Sequence, residues 1–334
     1  MNSHEKEILI RQDPPNKIEI SLVEGCFMEC EFCALQGLPE GFHSYKFMNK
    51  ATLKDICEKI AKAGWNSKIS IAGHGEPMKH PHIFECIKLI RKYLKTNTIY
   101  LITNGYSITN ETVHKLFESG ISNIQISEYT KFPRMKKIKG ELKKEFVVAD
   151  WEDKMTKAGD LSAKVNILAP FEYEAKNSTH KIINRCGVSE LPTRSKQDKR
   201  CAKPFRDMFI SWDGDLAICC NDFRKSLDLP NIKDGSIEDL WNCGYFQSLR
   251  KILFWDGRKV YPCNVCDHPA YRVGLLPDRM GKKTLDKPTK QDYDICNSTI
   301  LDHPKSGYKH RSWEPEKYDR TTYLSEVQWK EDND

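Results

Sequence analysis

The chain has 334 residues, of which 39% are hydrophobic and 30% are charged, and its formal net charge is +6. This length allows one large domain and a smaller one. No apolar run approaches the roughly 20 residues that span a bilayer, and the start, MNSHEKEILIRQDPPNK, lacks the apolar core of a secretory signal. We therefore expect a soluble cytoplasmic protein that does not associate with membranes.

Strands and helices alternate through the first half of the chain. Alternating or apolar runs predict strands at 17–23, 68–72, 98–102, 122–127 and 164–168. Apolar residues at helical spacing predict helices at 53–60, 83–94 and 111–118, and a less regular amphipathic helix followed by a strand at 145–148.

This alternation predicts βαβ units around a parallel sheet. Glycine and polar residues follow several of these strands, as in Gly73-His74-Gly75-Glu76-Pro77 and Thr103-Asn104-Gly105. Ligands of parallel α/β sheets bind outside the carboxyl ends of the strands. We expect the functional site at that edge.

The second half of the chain does not continue the regular alternation of strands and helices. An Asp213-Gly214 turn joins two short apolar runs and predicts a hairpin over 207–219. Ser236 is expected to cap a helix that runs to about residue 253, and the chain after residue 279 is polar and weakly patterned. We divide the chain into an extension (1–16), a large α/β domain (17–190), a small α+β domain (191–280) and a polar C-terminal extension (281–334).

Thirteen cysteines are many for a cytosolic chain, where grouped cysteines bind metal or perform redox chemistry more often than they form disulfides. Cys26, Cys30 and Cys33 form the first group, directly after the first predicted strand. Three thiolates can hold three irons of a cubane cluster and leave the fourth iron open to a chelating ligand. A zinc site or a chance grouping is the alternative.

The segment from Glu24 to Cys33 resembles the signature of the radical S-adenosylmethionine (SAM) superfamily, including an aromatic residue before the third cysteine. The resemblance covers about residues 17–170 and implies a partial (β/α)6 barrel. It also implies a [4Fe-4S] cluster that binds SAM at its open iron, with Phe32 lying against the adenine.

Three later segments match family motifs. Gly75-Glu76-Pro77 resembles a motif whose backbone and carboxylate hold the SAM amino group, although His74 replaces its first glycine. Asn104 and Ser127 fall at the ends of the third and fourth strands, where family members contact SAM. His74 is expected either to touch SAM or substrate, or to be a structural histidine whose ring nitrogens are hydrogen-bonded.

The second cysteine group supplies four well-spaced thiolates, Cys201, Cys219, Cys263 and Cys266. Spacing alone allows a cubane cluster or zinc. The interval from Cys201 through Gly214 to Cys219 resembles the opening of the SPASM domain, and too few cysteines follow for its full form. The resemblance thus implies the shortened form, called twitch, with one auxiliary [4Fe-4S] cluster.

The adjacent Cys219 and Cys220 compete for one ligand position, and the spacing from Gly214 favours Cys219. The remaining cysteines stand alone in the sequence, and we interpret them as small hydrophobic residues: Cys57, Cys86, Cys186, Cys243 and Cys296. A basic run at 131–144 indicates a solvated helix face or a site for an anionic substrate or nucleic acid.

The resemblance implies that the reduced cluster cleaves SAM to methionine and a 5′-deoxyadenosyl radical, which takes a hydrogen atom from an unactivated carbon. Relatives with one auxiliary cluster include aminocyclitol dehydrogenases, and other relatives, such as sulfatase maturases, act on peptides. Because the first strand starts near residue 17, we expect no leader-binding domain before it, which favours a small-molecule substrate.

We therefore predict an oxidoreductase or isomerase that acts on a small polar metabolite, sugar or nucleotide. A flavodoxin or ferredoxin is the expected reducing partner. The alternatives are a peptide or protein maturase, an enzyme that modifies a nucleic-acid base, and a non-catalytic metal-binding protein.

Overall fold

The computed structural model describes residues 13–30, 33–37, 44–128, 133–150, 164–168, 185–188, 201–268 and 285–300. Its strands are β1 Lys17–Ile20, β2 Val23–Glu24, β3 Lys46–Phe47, β4 Lys68–Ile71, β5 Ile99–Thr103, β6 Asn123–Ser127, β7 Val148–Asp150, β8 Val165–Leu168, β9 Asp207–Ile210 and β10 Leu216–Ala217. Its α-helices are α1 Lys50–Lys62, α2 Ile83–Tyr93, α3 Asn110–Glu118, α4 Pro133–Glu145, α5 Lys203–Arg206, α6 Ile237–Trp241, α7 Gly244–Trp255 and α8 Lys290–Ser298.

The predicted parallel α/β architecture is confirmed. The main sheet has the order β10-β9-β1-β4-β5-β6-β8-β7, and only the pair β9–β10 is antiparallel. Isoleucines at alternate positions of β1 and β4 are fully buried, as are the inward faces of α1 and α2. Burial of both faces is typical of a parallel sheet covered by helices.

The last parallel strands differ from a simple sequential barrel. β8 pairs with β6, and β7, which precedes β8 in the chain, lies at the sheet edge. The strand predicted at 145–148 begins three residues later, because α4 continues to Glu145. Phe146 extends its last turn through a hydrogen bond to the Leu142 carbonyl (2.8 Å) and stacks on Phe117.

The predicted hairpin forms, with Gly214 at φ +90° in its turn. Its first strand, β9, pairs in parallel with β1 along its whole length, from Lys17 opposite Asp207 to Ile20 opposite Ile210. The large sheet is therefore continuous from the N-terminal half into the cysteine-rich C-terminal half.

The single helix predicted from residue 236 to 253 is two helices. Asn242 ends α6, with its side-chain amide donating to the Glu238 carbonyl (2.8 Å), and the extended backbone of Cys243 starts α7. Ser236 caps α6 as predicted.

The polar tail contains a helix that the sequence analysis did not predict. A capping box between Thr289 and Asp292 starts α8. Ser248 of α7 donates to the Asp292 carboxylate (2.8 Å), which fixes α8 against α7. No helix in the described ranges has both the length and the apolar character needed to cross a membrane.

Candidate functional site

The segments that follow β1, β4 and β5 meet at the carboxyl edge of the sheet. Gly25 and Gly75 form a parallel bridge there: Gly25 N donates to His74 O (3.2 Å) and Glu76 N donates to Gly25 O (3.0 Å). A Cβ on Gly75 would lie 2.5 Å from Gly25 O and 2.6 Å from Val23 O. Glycine is therefore required at position 75 because two backbone segments touch there.

The first cysteine group lies in the loop just beyond this bridge, and all three thiols are half-buried. Cys33 N donates to Cys30 O (2.9 Å), which brings the second and third cysteines close together. The Cys26 sulfur accepts from Met28 N (3.4 Å) and from the Asn104 side-chain amide (3.7 Å). The structure thus brings the triad and Asn104 together.

Burial raises the pKa of all three thiols. The pKa of Cys30 reaches about 12, first because of desolvation and then because of the neighbouring Cys33 and Cys26. Desolvation likewise raises the pKa of Cys26 and Cys33. The three thiols are therefore protonated at neutral pH unless a bound cation stabilises their thiolate forms. Iron ions of a cluster would supply that positive charge.

Glu76 links the strand ends into one unit. Its buried carboxylate accepts from the Thr103 hydroxyl (2.6 Å), from Asn104 N (2.8 Å) and from Met78 N (3.0 Å), the last capping a short 3-10 helix that starts at Pro77. Desolvation raises the pKa of this carboxyl. Glu76 therefore positions Asn104, which in turn contacts Cys26.

His74 packs inside the protein. Its ring is fully buried between Phe209 (centroids 4.5 Å apart) and Phe223 (4.1 Å). Desolvation, together with the nearby Lys225 charge, lowers the pKa of His74 to about 3. His74 thus joins the end of β4 to the C-terminal half. Among the described residues neither ring nitrogen has a hydrogen-bond partner, which differs from the satisfied structural histidine that was one of the two expected roles.

Two other predicted SAM contacts have different outcomes. Ser127 is buried at the end of β6, on the same edge of the sheet as Glu76 and Asn104. Phe32 lies outside the described residues.

Sequence reasoning missed an aromatic group beside the triad. The rings of Phe27 and Tyr106 meet edge to face (4.7 Å), and Lys79 lies 4.4 Å from the centre of the Phe27 ring. Tyr106 is 46% exposed, which is unusual for a large ring next to a buried site. Its position directly after Asn104-Gly105 was the available signal.

The four predicted cysteines of the second group come together, and they gain a fifth. Cys201, Cys219, Cys263 and Cys266 line one small cavity, and Cys186 lines it with them. Interaction with the thiols of Cys219 and Cys266 raises the pKa of Cys186. Its interpretation as a solitary hydrophobic residue is therefore wrong.

Cys220 faces away from this cavity. Its thiol accepts from the Lys203 ammonium (3.2 Å), whereas its neighbour Cys219 lines the cavity. The placement agrees with the preference for Cys219. Cys57 and Cys86 are fully buried on α1 and α2, as small hydrophobic residues would be.

A cation accompanies the second group. Arg258 is 2% exposed and donates to the Cys266 carbonyl (2.8 Å). Hydrogen bonding from Cys186, followed by smaller effects that include the Arg258 charge, lowers the pKa of Cys266 to about 6. A buried arginine beside several thiols fits an iron–sulfur cluster, whose thiolate-ligated core is anionic.

Within the described ranges, no three or more Cys, His, Asp or Glu side chains converge on a single metal position.

Comparison with known proteins agrees with this geometry. The radical SAM superfamily model matches residues 20–146, and the SPASM model, an iron–sulfur cluster-binding domain, matches residues 201–268. An S-adenosyl-L-methionine-dependent 2-deoxy-scyllo-inosamine dehydrogenase from Niallia circulans is 22% identical over 71% of this chain and 86% of its own length. A GTP 3′,8-cyclase from Haemophilus ducreyi is 28% identical over 84% of this chain and 72% of its own length.

Among solved structures, BtrN in complex with AdoMet and 2-DOIA matches 77% of this chain and 94% of its own, with a TM-score of 0.60 and 19% identity. At that identity the likeness concerns the fold, which is the mostly parallel α/β fold described above.

Proposed function

Because the chain carries a radical SAM domain over residues 20–146 and a SPASM iron–sulfur domain over residues 201–268, we propose that it is an oxidoreductase of small polar metabolites. It oxidises the substrate at a carbon that bears a hydroxyl group. When bound, the first cluster and SAM supply a 5′-deoxyadenosyl radical that takes a hydrogen atom from carbon, and the auxiliary cluster supplies an acceptor for the remaining electron.

The observation that carries this proposal is the composition of the second cysteine group. At least four thiols line its cavity, so an enclosed cluster can be ligated entirely by protein. A cluster without an open iron suits electron transfer better than direct binding of substrate. An electron acceptor is what an oxidation requires and an isomerisation does not.

The position of the second group also supports electron transfer. Val188 packs with Ala34 and Leu35 in a small apolar cluster against which Cys26 and Cys33 are also packed. Two residues earlier in the same turn, Cys186 lines the cavity of the second group. One short segment therefore contacts both cysteine groups.

The residues at the sheet edge have two roles: some hold the cysteine triad, and others surround the proposed SAM site. Asn104 and Met28 N hold Cys26 by hydrogen bonds, and Glu76 holds Asn104. Together with Phe32, Gly75, Pro77 and Ser127, we assign Glu76 and Asn104 to the surroundings of SAM. The half-buried triad leaves this side accessible, whereas the second group is enclosed.

The inosamine dehydrogenase supports oxidation as the reaction type, since this chain matches 86% of that relative's length. A flavodoxin or ferredoxin is the proposed source of the electron that starts each turnover.

The test is anaerobic turnover of the reconstituted full chain with dithionite, SAM and 2-deoxy-scyllo-inosamine deuterated at its carbinol carbons. We expect methionine, 5′-deoxyadenosine carrying deuterium, and a ketone product three mass units below the deuterated substrate, because one deuterium and one hydrogen are lost. If no hydroxylated small molecule in a panel of aminocyclitols and sugars increases 5′-deoxyadenosine formation above the substrate-free rate, the proposal is wrong.

Nucleotides form the second candidate substrate class, because the GTP 3′,8-cyclase match extends over 84% of the chain. The same assay with GTP and ATP separates the classes. Deuterium transfer from a ribose carbon without loss of two hydrogens would favour cyclisation or isomerisation over oxidation.

A further inference from the structure

Cys186 lies in a turn, residues 185–188, that the C-terminal family match does not include. The thiol is 5% exposed and faces the same cavity as Cys201, Cys219, Cys263 and Cys266. It interacts electrostatically with the thiols of Cys219 and Cys266, which line the same cavity. Five thiols thus surround a site where a cubane cluster takes four.

The turn is anchored on both sides of Cys186. The Arg185 guanidinium donates to the Asn221 side-chain oxygen (2.8 Å), and Asn221 itself lines the cavity. On the other side, Val188 is 2% exposed among Ala34, Leu35 and Phe223. These contacts hold the Cys186 thiol towards the cavity rather than towards solvent.

The backbone of the turn is held in a costly conformation. Arg185, Cys186 and Gly187 have φ of 47°, 57° and 81°, and side chains other than glycine pay about 1 kcal/mol or more in this region. A Cβ on Gly187 would contact Val265, which lies between Cys263 and Cys266. The turn therefore packs directly against the segment that carries Cys263 and Cys266.

Cys201 is the least enclosed of the five. It is half-buried, whereas the other four are buried. Cys219, Cys263 and Cys266 form a common set that either Cys186 or Cys201 can complete.

We propose that Cys186 is a thiolate ligand of the auxiliary cluster and exchanges with Cys201 for the fourth position. The inference rests on the proposed function only in assuming that this cavity holds an iron–sulfur cluster.

The test uses the full chain with Cys26, Cys30 and Cys33 all replaced by alanine, so that iron reports on the second site alone. In this parent we expect about four irons and four sulfides per chain. Cys201→Ala should retain them, because Cys186 completes the set. Cys201→Ala with Cys186→Ala should lose most of the iron. Cys220→Ala is the matched control, as a neighbouring thiol that does not line the cavity, and should retain about four irons.

A second measurement does not remove the residue. Selenocysteine at position 186, carrying the magnetic isotope of selenium, should broaden the electron paramagnetic resonance signal of the reduced cluster in the Cys201→Ala chain. This experiment remains decisive if the double variant does not fold.

Three outcomes would overturn the inference: Cys201→Ala losing as much iron as the double variant, the double variant keeping all its iron, or selenocysteine at 186 leaving the signal unbroadened. Cys186→Ala alone should also retain the iron, because Cys201 completes the set; loss of iron from this variant would uphold ligation by Cys186 but overturn its exchange with Cys201. A parent without iron would overturn the auxiliary cluster of the proposed function as well, whereas a loaded parent with an iron-poor Cys201→Ala chain would overturn this inference alone.

Discussion

The two cysteine sites are assembled in opposite ways. The first comes from one loop, with Cys26, Cys30 and Cys33 inside eight residues, and its thiols remain half-buried. The second draws thiols from positions as distant as 186 and 266, and most of them are buried. A local site can be recognised from sequence spacing, whereas a dispersed one becomes complete only when the fold is known.

The difference also bears on chemistry. Half-buried thiols at a sheet edge leave room for a ligand on the cluster, and enclosed thiols beside the buried Arg258 protect a cluster from solvent. We therefore expect changes at the first site to abolish SAM cleavage and changes at the connections between the sites to alter stability.

The largest expected effect is that of Cys30→Ala. Loss of one of three iron ligands should lower 5′-deoxyadenosine formation at least about 100-fold, while the iron of the second site remains. Mass spectrometry of the nucleoside and iron analysis measure the two quantities. Cys57→Ala, at a buried thiol on α1, is the control and should keep its activity. If Cys30→Ala cleaved SAM at the wild-type rate, the first cysteine group would not be the site of SAM cleavage.

Gly75→Ala tests the backbone contact on which the first site is built. The added Cβ would meet two carbonyl oxygens at 2.5 and 2.6 Å, so we expect a loss of about 3 kcal/mol in the free energy of unfolding. Denaturant titration of the chain checks this value. Gly140→Ala is the matched control, because nothing lies within 4 Å of its Cβ in α4, and it should stabilise by about 0.5–1 kcal/mol. Equal effects at both positions would refute the contact.

Glu76→Gln tests the link from β4 to Asn104. The Glu76 carboxylate now accepts three hydrogen bonds. The NH2 group of glutamine would face one of these three donors, so that bond would be lost at a cost of about 2 kcal/mol. We expect the variant to unfold at lower denaturant concentration and to bind SAM more weakly. Glu111→Gln, on the exposed side of α3, should change stability much less. A Glu76 variant as stable as the Glu111 variant would show that these bonds contribute little.

The prediction for His74, which joins the two halves, has the smallest effect at neutral pH and grows as the pH is lowered. Its pKa is about 3 in the folded chain, against an ordinary value of 6.5, so between these values the unfolded chain binds more protons. Stability should therefore fall as the pH is lowered from 6.5 towards 3, by up to about 1.4 kcal/mol per pH unit from this residue.

His80, with a pKa lowered to about 4 by burial, adds to the same slope. His74→Phe should reduce the slope of unfolding free energy against pH between 6.5 and 4.5, while Cys57→Ala should leave it unchanged, because the pKa of Cys57 is about 12. If the slope were the same in His74→Phe, the pKa of His74 would not be lowered in the folded chain, and the buried neutral ring between the two halves would be refuted.

The sequence predicted those features whose signals are local. The strands before Glu76 and Asn104 and the Asp213-Gly214 turn follow from short-range spacing, and the structure confirms them. The triad was recognised from its intervals, whereas the intervals of the other four cysteines allowed a cubane cluster or zinc until the resemblance to the SPASM domain was added. The family models match the two segments that carry these groups.

The errors have nonlocal causes. Nothing near Cys186 indicates that its thiol meets Cys219 and Cys266, which are 33 and 80 positions away. In the same way, β9 pairs with β1, and β8 lies between β6 and β7. The residues of each strand do not specify which strands become its neighbours in the sheet. The break between α6 and α7 depends on a hydrogen bond from the Asn242 side-chain amide to the Glu238 carbonyl. A pattern of apolar residues does not reveal this bond.

The pairing of β1 with β9 has a consequence for synthesis on the ribosome. β1 finds β4 soon after it emerges, but its other edge waits for Asp207–Ile210, about 190 residues later. At ordinary elongation rates this interval lasts about 10–40 s, during which the amides and carbonyls of one edge of β1 have no strand to pair with. The nascent chain thus presents a bare β-edge for a chaperone to shield, and production of this protein should respond to chaperone supply more than its final stability would suggest.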